Sequence, residues 1–565
     1  MNKNFFGHPA GLFTLFFTEM WERFSYYGMR AILILFMTAE LAEHNGGMGM
    51  NTAEAAAIYG LYTSAVYLLT LPGGWLADNV FGQRKAIWYG GIVIMFGHIS
   101  LAVPGDMTFY LGLVLVAIGT GLLKANISTI VGDLYPEGGA RRDAGFSIFY
   151  MGINIGSFAG QMIVGQLGEN VNWHYGFGAA AVGMFLGLLM YRFTAYKYLG
   201  DVGIVPKAKE ARQEAAARGE MPGNNRLAAI LGIALVALIA ILQFTGMIDM
   251  TNVIGMAQAM GVIIVAIAAF YFIYVLTAGG LDKVQKRRVV VIILLFVGAA
   301  LFWSGFEQAG SSLNLFAERH TERMFGPAGM AGFIPIGLGL LTFALLGIVW
   351  YNKIFQNKTL IDSLKWITGV VVIGLSAFAW WITDSISGGW EMPASWLQSV
   401  NPLFIIIFAP IIGALWVKLA QKQMSPSAPL KFGFGLILLG LGFLVMVGAS
   451  RIVANGMPEA VRVTTLWLVM TYLLHTIGEL TLSPIGLSMT TKLAPKKFAG
   501  QMMGVWFIGA ALGNLIAGLF AGNFDEESVQ QMPDLFMTTV LVSVGSGLLF
   551  VVFSKPIKRW MGGVE

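Results

Sequence analysis

Sixteen apolar segments, each of a length that can cross a lipid bilayer, follow one another along this chain of 565 residues. Charged residues make up 12% of the sequence, whereas soluble proteins average about 25%, and the mean hydropathy is +0.71. This composition predicts an all-α polytopic membrane protein. The segments fall at 11–38, 53–78, 86–103, 107–131, 144–168, 174–195, 227–245, 255–277, 288–316, 331–351, 365–384, 398–421, 430–450, 462–491, 499–521 and 534–553.

The basic residues of the connecting loops predict the orientation of these segments. Runs at 141–142, 283–288 and 492–497 belong to one set of alternate loops, while the other set is mostly acidic, with Glu40 and Asp106 as examples. Because basic loops stay in the cytoplasm, we expect both termini to be cytoplasmic.

The composition also excludes several kinds of function. The chain has no cysteine, so it cannot form disulfides, iron–sulfur clusters or thiolate zinc sites. The net charge of +5 does not indicate nucleic-acid binding, because the basic residues follow the membrane topology. We find no metal-ligand cluster, nucleophile elbow or phosphate loop, so we expect neither an enzyme nor a cofactor other than protons as a coupling ion.

The first apolar segment carries a stripe of polar side chains, although charges are costly at membrane depth and are usually functional there. At 100° per residue, the stripe occupies roughly 140° of one helix face. A structural network of ion pairs would be the simpler interpretation. The stripe consists of Glu19, Glu22, Arg23, Tyr26, Tyr27 and Arg30.

Three further charges lie in the middle of other segments: Lys124, Glu307 and Glu479. Together with the stripe they give four potential negative charges against three positive ones. If all were ionised, one carboxylate would have no partner in a medium of low dielectric constant, and it would bind a proton instead. Provided that no other charge or metal ion enters, this imbalance alone predicts a proton-binding site.

The loop after the second segment resembles the cytoplasmic signature of the major facilitator superfamily. It reads Gly-Gly-Trp-Leu-Ala-Asp-Asn-Val-Phe-Gly-Gln-Arg-Lys over 73–85. We interpret Asp78, Arg84 and Lys85 as a cytoplasmic charge latch between helix ends, closed in one conformation and open in another.

Five motifs in order resemble the proton-dependent oligopeptide transporter family, of the bacterial type. They are Glu-x-x-Glu-Arg-Phe-x-Tyr-Tyr at 19–27, Phe-Tyr-Met-Gly-Ile-Asn-Ile-Gly-Ser at 149–157, Phe-Glu-Gln-x-Gly-Ser-Ser-Leu at 306–313, Gln-Ser-Val-Asn-Pro-Leu-Phe at 398–404 and Gly-Glu-Leu-x-Leu-Ser-Pro-Ile-Gly-Leu-Ser at 478–488. The resemblance implies a major facilitator fold of two six-helix bundles in a bacterial inner (plasma) membrane.

The resemblance also suggests how the chain is divided. We interpret the inserted pair of segments between the seventh and eighth core helices as a peripheral hairpin. Alternatively, one of the two segments is re-entrant or lies flat on the membrane. The basic piece before the inter-bundle hairpin fits either an amphipathic surface helix or a solvated linker. The predicted divisions are an amino-terminal bundle at 1–197, a cytoplasmic linker at 198–226, an inter-bundle hairpin at 227–278, core helix 7 at 279–330, the inserted hairpin at 331–385 and core helices 8–12 at 386–565.

By resemblance, the chain is expected to be a symporter that imports di- and tripeptides with protons by alternating access and acts as a monomer. A related proton-coupled carrier of nitrate or another small solute is the alternative. Arg30–Glu307 and Lys124–Glu479 would be salt bridges between the halves, gating the outside and the inside respectively. The proton-coupling group comprises Glu19, Glu22, Arg23 and Glu307, and the peptide site comprises Arg30, Lys124, Glu479, Tyr26, Tyr27, Tyr67, Asn154, Asn401, Ser483 and Trp506.

Several members of this peptide site also fit ordinary structural roles. Tyr67 and Trp506 are equally compatible with packing or with an interfacial position. Asn154 and Asn401 could hydrogen-bond across helices without touching a ligand. The two ends of the charge arrangement, cations on one side and Glu479 on the other, favour a zwitterion over a simple anion.

Overall fold

The computed structural model describes residues 4–5, 7–42, 44–137, 139–206, 241, 243–246, 249, 251–325, 390–456, 461–524 and 526–564, and helices dominate it. Ten helices within these ranges are long and apolar enough to cross a membrane. The predicted all-α membrane fold is confirmed. The linker from residue 207 onward, most of the first inter-bundle segment and the whole hairpin predicted at 331–385 lie outside the described residues, so the count of sixteen stays a prediction.

The amino-terminal half is a bundle in which α1 packs against α6 and α7, and α4 packs against α5 and α7. A π-helical turn, Ala77–Phe81, follows α3. The bounds are α1 Gly11–Thr38, α2 Thr52–Leu68, α3 Thr70–Leu76, α4 Gln83–Leu101, α5 Asp106–Asp133, α6 Gly139–Asn170 and α7 Trp173–Tyr198.

The carboxy-terminal half begins after one helix of the inter-bundle region, α8. Within it, α12 packs against α13 and α15, and α9 packs against α14. The bounds are α8 Val253–Ala278, α9 Lys283–Phe306, α10 Ser312–His320, α11 Val400–Gln421, α12 Ala428–Gly456, α13 Leu466–Leu493, α14 Ala499–Ala521, α15 Met532–Val552 and α16 Ser554–Trp560.

The strands are two-residue pairs that fasten loops. Asn4–Phe5 (β1) pairs antiparallel with His8–Pro9 (β2). Thr321–Glu322 (β3) pairs parallel with Val463–Thr464 (β6), and Met324–Phe325 (β4) pairs antiparallel with Trp390–Glu391 (β5). The last two pairs hold the loops that follow α10 to the rest of the carboxy-terminal half.

Glycines let α6 approach α1 closely. Gly152, Gly156 and Gly160 lie four residues apart on the face of α6 that meets α1. A methyl group on Gly152 would lie 2.8 Å from a ring carbon of Phe16, and one on Gly156 would collide with the carbonyl oxygen of Met20. Small residues at this spacing are a typical means of helix contact in membranes, and here they fix the helix that carries the polar stripe.

The seventh core segment is interrupted, although the sequence predicts one apolar run over 288–316. The helix α9 ends at Phe306, a 3-10 turn covers Glu307–Gly310, and α10 starts at Ser312. Glycine and serine are poor residues for a helix interior, and three of them follow one another at 310–312. The break places Glu307 at a helix end rather than within a regular helix.

Candidate functional site

The stripe of α1 begins with one arginine between two carboxylates. Arg23 Nε donates to Glu19 Oε1 at 2.8 Å, and the same nitrogen lies 3.1 Å from Glu22 Oε2. All three side chains are at most 4% exposed. Within the described part of the chain, one oxygen of Glu19 and both of Glu22 accept no hydrogen bond. A single guanidinium thus faces two carboxylates with spare acceptor capacity.

Two turns further along α1, Arg30 reaches across to the carboxy-terminal half. Its Nη2 binds Glu307 Oε2 in the 3-10 turn, and its Nε donates to the hydroxyl of Tyr59 on α2 at 2.6 Å. Arg30 and Glu307 are 5% and 4% exposed. The structure therefore brings together the pair that the sequence suggests as one gate.

Gly310 makes this arrangement possible. A methyl group there would collide with the Tyr59 hydroxyl and lie 3.2 Å from Arg30 Nε. The glycine after the helix break lets the 3-10 turn lie directly against the Arg30–Tyr59 pair.

Tyr27 lies between the two arginines of the stripe. The guanidinium carbons of Arg23 and Arg30 are 5.9 and 5.7 Å from its ring centre, both within cation–π range. Tyr26 is 1% exposed, its ring packs against Tyr27 at 5.1 Å, and its hydroxyl has no hydrogen-bond partner among the described residues. Both tyrosines thus adjoin the charged groups, with Tyr26 in the core and Tyr27 half-buried.

Lys124 of α5 lies against Tyr67 rather than against a carboxylate. Its ammonium is 3.7 Å from the Tyr67 ring centre. In the ranges that the structure describes, no carboxylate lies within 4.0 Å of it. The aromatic face stabilises the cation partly and leaves its three N–H donors available to a ligand.

Glu479 of α13 is bound by neutral partners. Asn401 donates to it at 3.3 Å and to Thr476 Oγ1 at 2.9 Å, and the hydroxyl of Tyr150 on α6 lies nearby. Tyr150 is 38% exposed, whereas Glu479 itself is 8% exposed. The suggested Lys124–Glu479 pair is not formed in this conformation.

The remaining suggested members of the peptide site contribute in different ways. Asn154 is 4% exposed and donates to the backbone carbonyl of Tyr150 at 2.8 Å. Trp506 is 7% exposed, and its ring fills the space over Gly486 of α13. Ser483 is half-buried on α13, one turn beyond Glu479. Trp506 therefore packs between helices in this conformation.

Arg84, one of the groups suggested as a cytoplasmic latch, has other partners in this conformation. Arg84 donates to the carbonyl oxygen of Gly200 at 2.6 Å and lies 5.0 Å from the Tyr196 ring centre, and Lys85 is exposed. No ion pair within 4.0 Å joins Asp78 to either basic residue in the described ranges. Arg84 fastens the end of α7 instead, because the backbone there offers it a carbonyl acceptor.

Sequence reasoning missed three residues of this site: Tyr59, Tyr150 and Gly310. Tyr59, Tyr62 and Tyr67 recur along α2 at spacings of three and five, a signal that one face of this helix is polar. Tyr150 belongs to the motif at 149–157, but its position near Glu479 requires the approach of α6 to the other half.

One end of the two halves is closed by direct contacts, and we call it the sealed end. It contains the carboxyl end of α1, the 3-10 turn Glu307–Gly310 and a second 3-10 turn, Ala394–Ser399. Asn314 and Gln398 both donate to the carbonyl oxygen of Ala31, at 2.8 and 3.2 Å. The Arg30–Glu307 pair belongs to this end.

Comparison with known proteins places this arrangement in a family. The sequence profile of the POT family matches residues 84–383 and 374–536. The uncharacterized transporter YclF of Bacillus subtilis is 42% identical over 566 residues, which cover 100% of this chain and 97% of the relative. The peptide transporter YePEPT of Yersinia enterocolitica is 37% identical with 100% and 97% coverage, and the di-/tripeptide transporter of Lactococcus lactis subsp. cremoris is 34% identical with 100% and 98% coverage.

A solved structure agrees with these relatives. The crystal structure of a peptide transporter POT in complex with sulfate superposes with a TM-score of 0.77 at 36% identity, covering 100% of this chain and 98% of that one. The fold, the ordered motifs and the full-length matches lead to one conclusion. This chain is a multi-pass membrane transporter of the POT family.

Proposed function

We propose that this protein imports di- and tripeptides together with protons by alternating access. The observation that carries the proposal is the unequal charge of the interior. Four carboxylates, Glu19, Glu22, Glu307 and Glu479, face three cations, and Arg23 alone serves two of them. The relatives named as peptide and di-/tripeptide transporters support the same substrate class.

Proton coupling follows from the groups around Arg23. Its guanidinium forms an ion pair with Glu19 at 2.7 Å and with Glu22 at 3.1 Å, while both oxygens of Glu22 lack a hydrogen-bond donor among the described residues. A buried carboxylate that shares its counter-charge with a second carboxylate is stabilised by binding a proton. Glu19 and Glu22 share one guanidinium, so we assign the coupling proton to the group of Glu19, Glu22 and Glu307 rather than to one residue.

Peptide recognition uses groups that are not committed to an ion pair in this conformation. Lys124 can receive the peptide carboxylate, and Glu479 can receive its ammonium through charge-assisted hydrogen bonds. Asn401 already donates to Glu479, so an arriving ammonium would find its carboxylate oriented. Asn154 and Ser483 would hydrogen-bond the peptide backbone.

The conformation supports an order of events. With Arg30–Glu307 closed and Lys124–Glu479 apart, the sealed end is shut, while Lys124 and Glu479 form no ion pair with the described residues. Protonation of Glu307 would release Arg30 and weaken the sealed end, which links proton binding to opening. We place this end at the outer face of a bacterial inner membrane with both termini in the cytoplasm, as the loop charges predict, and we take the monomer as the transporting unit.

Uptake of labelled dialanine into proteoliposomes tests the proposal. An inward proton gradient should drive accumulation above the external concentration, and dissipating the gradient should reduce uptake to equilibration. Nitrate should neither accumulate nor compete, because a single anion leaves Glu479 without a partner. Accumulation of nitrate, or dialanine uptake that ignores the gradient, would contradict the proposal.

A further inference from the structure

The sealed end contains a further contact between the halves. In it, a carboxylate of one half accepts hydrogen bonds from uncharged groups of the other half. Glu169, in the last turn of α6, accepts from the backbone N–H of Ala394 at 2.6 Å and of Ser395 at 3.0 Å, and also from the Ser395 hydroxyl. The two partner residues are fully buried at the start of the second 3-10 turn. A carboxylate that accepts several backbone N–H bonds forms one of the stronger kinds of hydrogen-bonded contact.

The same face of α6 provides the rest of this contact. One turn before Glu169, Gly165 has no side chain, and a methyl group there would collide with Ser395 Oγ and lie 3.3 Å from a ring carbon of Trp396. Three residues earlier, the carbonyl oxygen of Met162 accepts from the Trp396 indole N–H at 2.9 Å. We call this set, Met162, Gly165 and Glu169 with Ala394–Trp396, the α6 clasp.

Each side of the α6 clasp is rigidly attached to its own half. On one side, α6 is packed against α1 through its glycine face. On the other side, Arg323 donates to the carbonyl oxygen of Met392 at 2.6 Å and pairs with Glu391 at 3.0 Å, which holds the segment before Ala394 to α10 and its loop. Separation of the halves at the sealed end therefore requires the α6 clasp to break.

We infer that the α6 clasp is a latch that closes the sealed end independently of the proton-binding carboxylates. Arg30–Glu307 joins two charged side chains and can be released by a proton. Glu169 is instead held across the interface by two backbone amides and a hydroxyl. Arg323 of the opposite half acts on it electrostatically and is itself paired with Glu391. Protonation of Glu307 alone would leave this latch intact. Opening of the sealed end then requires the free energy of breaking the α6 clasp in addition to the release of Arg30.

The inference uses the alternating access of the proposed function, but its test needs neither peptide nor proton gradient. The chain has no cysteine, so Ala31→Cys would be its single thiol. Ala31 is fully buried at the sealed end and its carbonyl receives both cross-half amides, so the thiol should react with a maleimide only when this end opens. The measured quantity is the labelling rate of purified full-length protein in detergent micelles.

Glu169→Gln and Gly165→Ala should each raise this rate, by roughly tenfold for Glu169→Gln, the effect of losing about one charge-assisted hydrogen bond. Alanine is a better helix former than glycine, so a faster rate in Gly165→Ala cannot come from a weaker helix. Glu137→Gln is the matched control for charge, since this carboxylate is exposed and pairs only locally with Arg141. Gly178→Ala is the control for the added methyl group, because its nearest neighbour would be 3.9 Å away.

Independence is tested in a Glu307→Gln background. If the α6 clasp is a separate latch, Glu169→Gln should raise the labelling rate by the same factor there as in the parent chain. An unchanged rate in folded, monodisperse Glu169→Gln and Gly165→Ala proteins would overturn the inference. An effect of Glu169→Gln that disappears in the Glu307→Gln background would also overturn it, by showing a single shared latch. Ser395→Ala, which removes only the hydroxyl donor, provides a milder variant if either substitution prevents folding.

Discussion

The most specific prediction concerns Gly310→Ala. The added methyl group would occupy the position of the Tyr59 hydroxyl and press on Arg30 Nε at 3.2 Å. Tyr59 must then move away, and Arg30 loses an acceptor that it now holds at 2.6 Å. Buried hydrogen bonds to charged groups contribute about 1.5–3 kcal/mol, so the balance between the sealed and the open state should shift by about tenfold to a hundredfold.

The assay is maleimide labelling of Ala31→Cys, as described for the α6 clasp, with Gly545→Ala as the control because a methyl group there meets no atom within 4 Å. Labelling should accelerate in Gly310→Ala and remain unchanged in the control. Tyr59→Phe removes the hydroxyl with which the methyl group collides. Gly310→Ala should therefore accelerate labelling much less in the Tyr59→Phe background than in the protein that retains Tyr59. An equal effect in both backgrounds would refute the collision as the cause.

Three further predictions address coupling, recognition and the fold. Glu22→Gln should abolish uptake driven by a proton gradient while retaining part of the peptide exchange at equal concentrations, and unchanged gradient-driven uptake would exclude Glu22 as a coupling group. Glu479→Ala should weaken competition by peptides with a free amino terminus more than by amino-blocked peptides; equal losses would contradict its role toward the ammonium. Gly82→Ala should lower the melting temperature, because φ is +77° there and a methyl group would collide with the carbonyl oxygen of Ile204, and an unchanged melting temperature would contradict this reading of the turn.

The sequence was sufficient for the features that depend on periodicity and composition. The polar face of α1 follows directly from spacings of four, three and four residues between Glu19, Arg23, Tyr26 and Arg30. The helical membrane fold follows from the length of the apolar segments. Both are local properties, so neighbouring residues in the sequence determine them.

The features that sequence did not predict depend on contacts between distant segments. The break after Phe306 was hidden because an average over 288–316 remains strongly apolar despite three successive small residues. The partner of Arg30 on α2 is a tyrosine, and a tyrosine in an apolar segment is ordinary in a membrane protein. The Lys124–Glu479 pair depends on which conformation is populated. One sequence is compatible with both conformations and does not indicate in which of them the pair forms.

The α6 clasp illustrates the same distinction. Glu169 directly follows an apolar segment and begins an acidic loop. A charged residue in such a loop does not by itself indicate a function. Its partners are mainly backbone amides more than two hundred residues away, and a backbone N–H leaves no signature in the sequence. Only the folded chain shows that this carboxylate joins the two halves.

Reciprocity between peptide and proton provides the most direct test of the central claim. Linkage requires that a peptide gradient move protons if a proton gradient moves peptide. Proteoliposomes containing a trapped pH indicator should acidify when dialanine is added outside at equal pH on both sides, and those with Glu22→Gln protein should not. Peptide entry without any acidification in the parent protein would contradict proton coupling through the buried carboxylates.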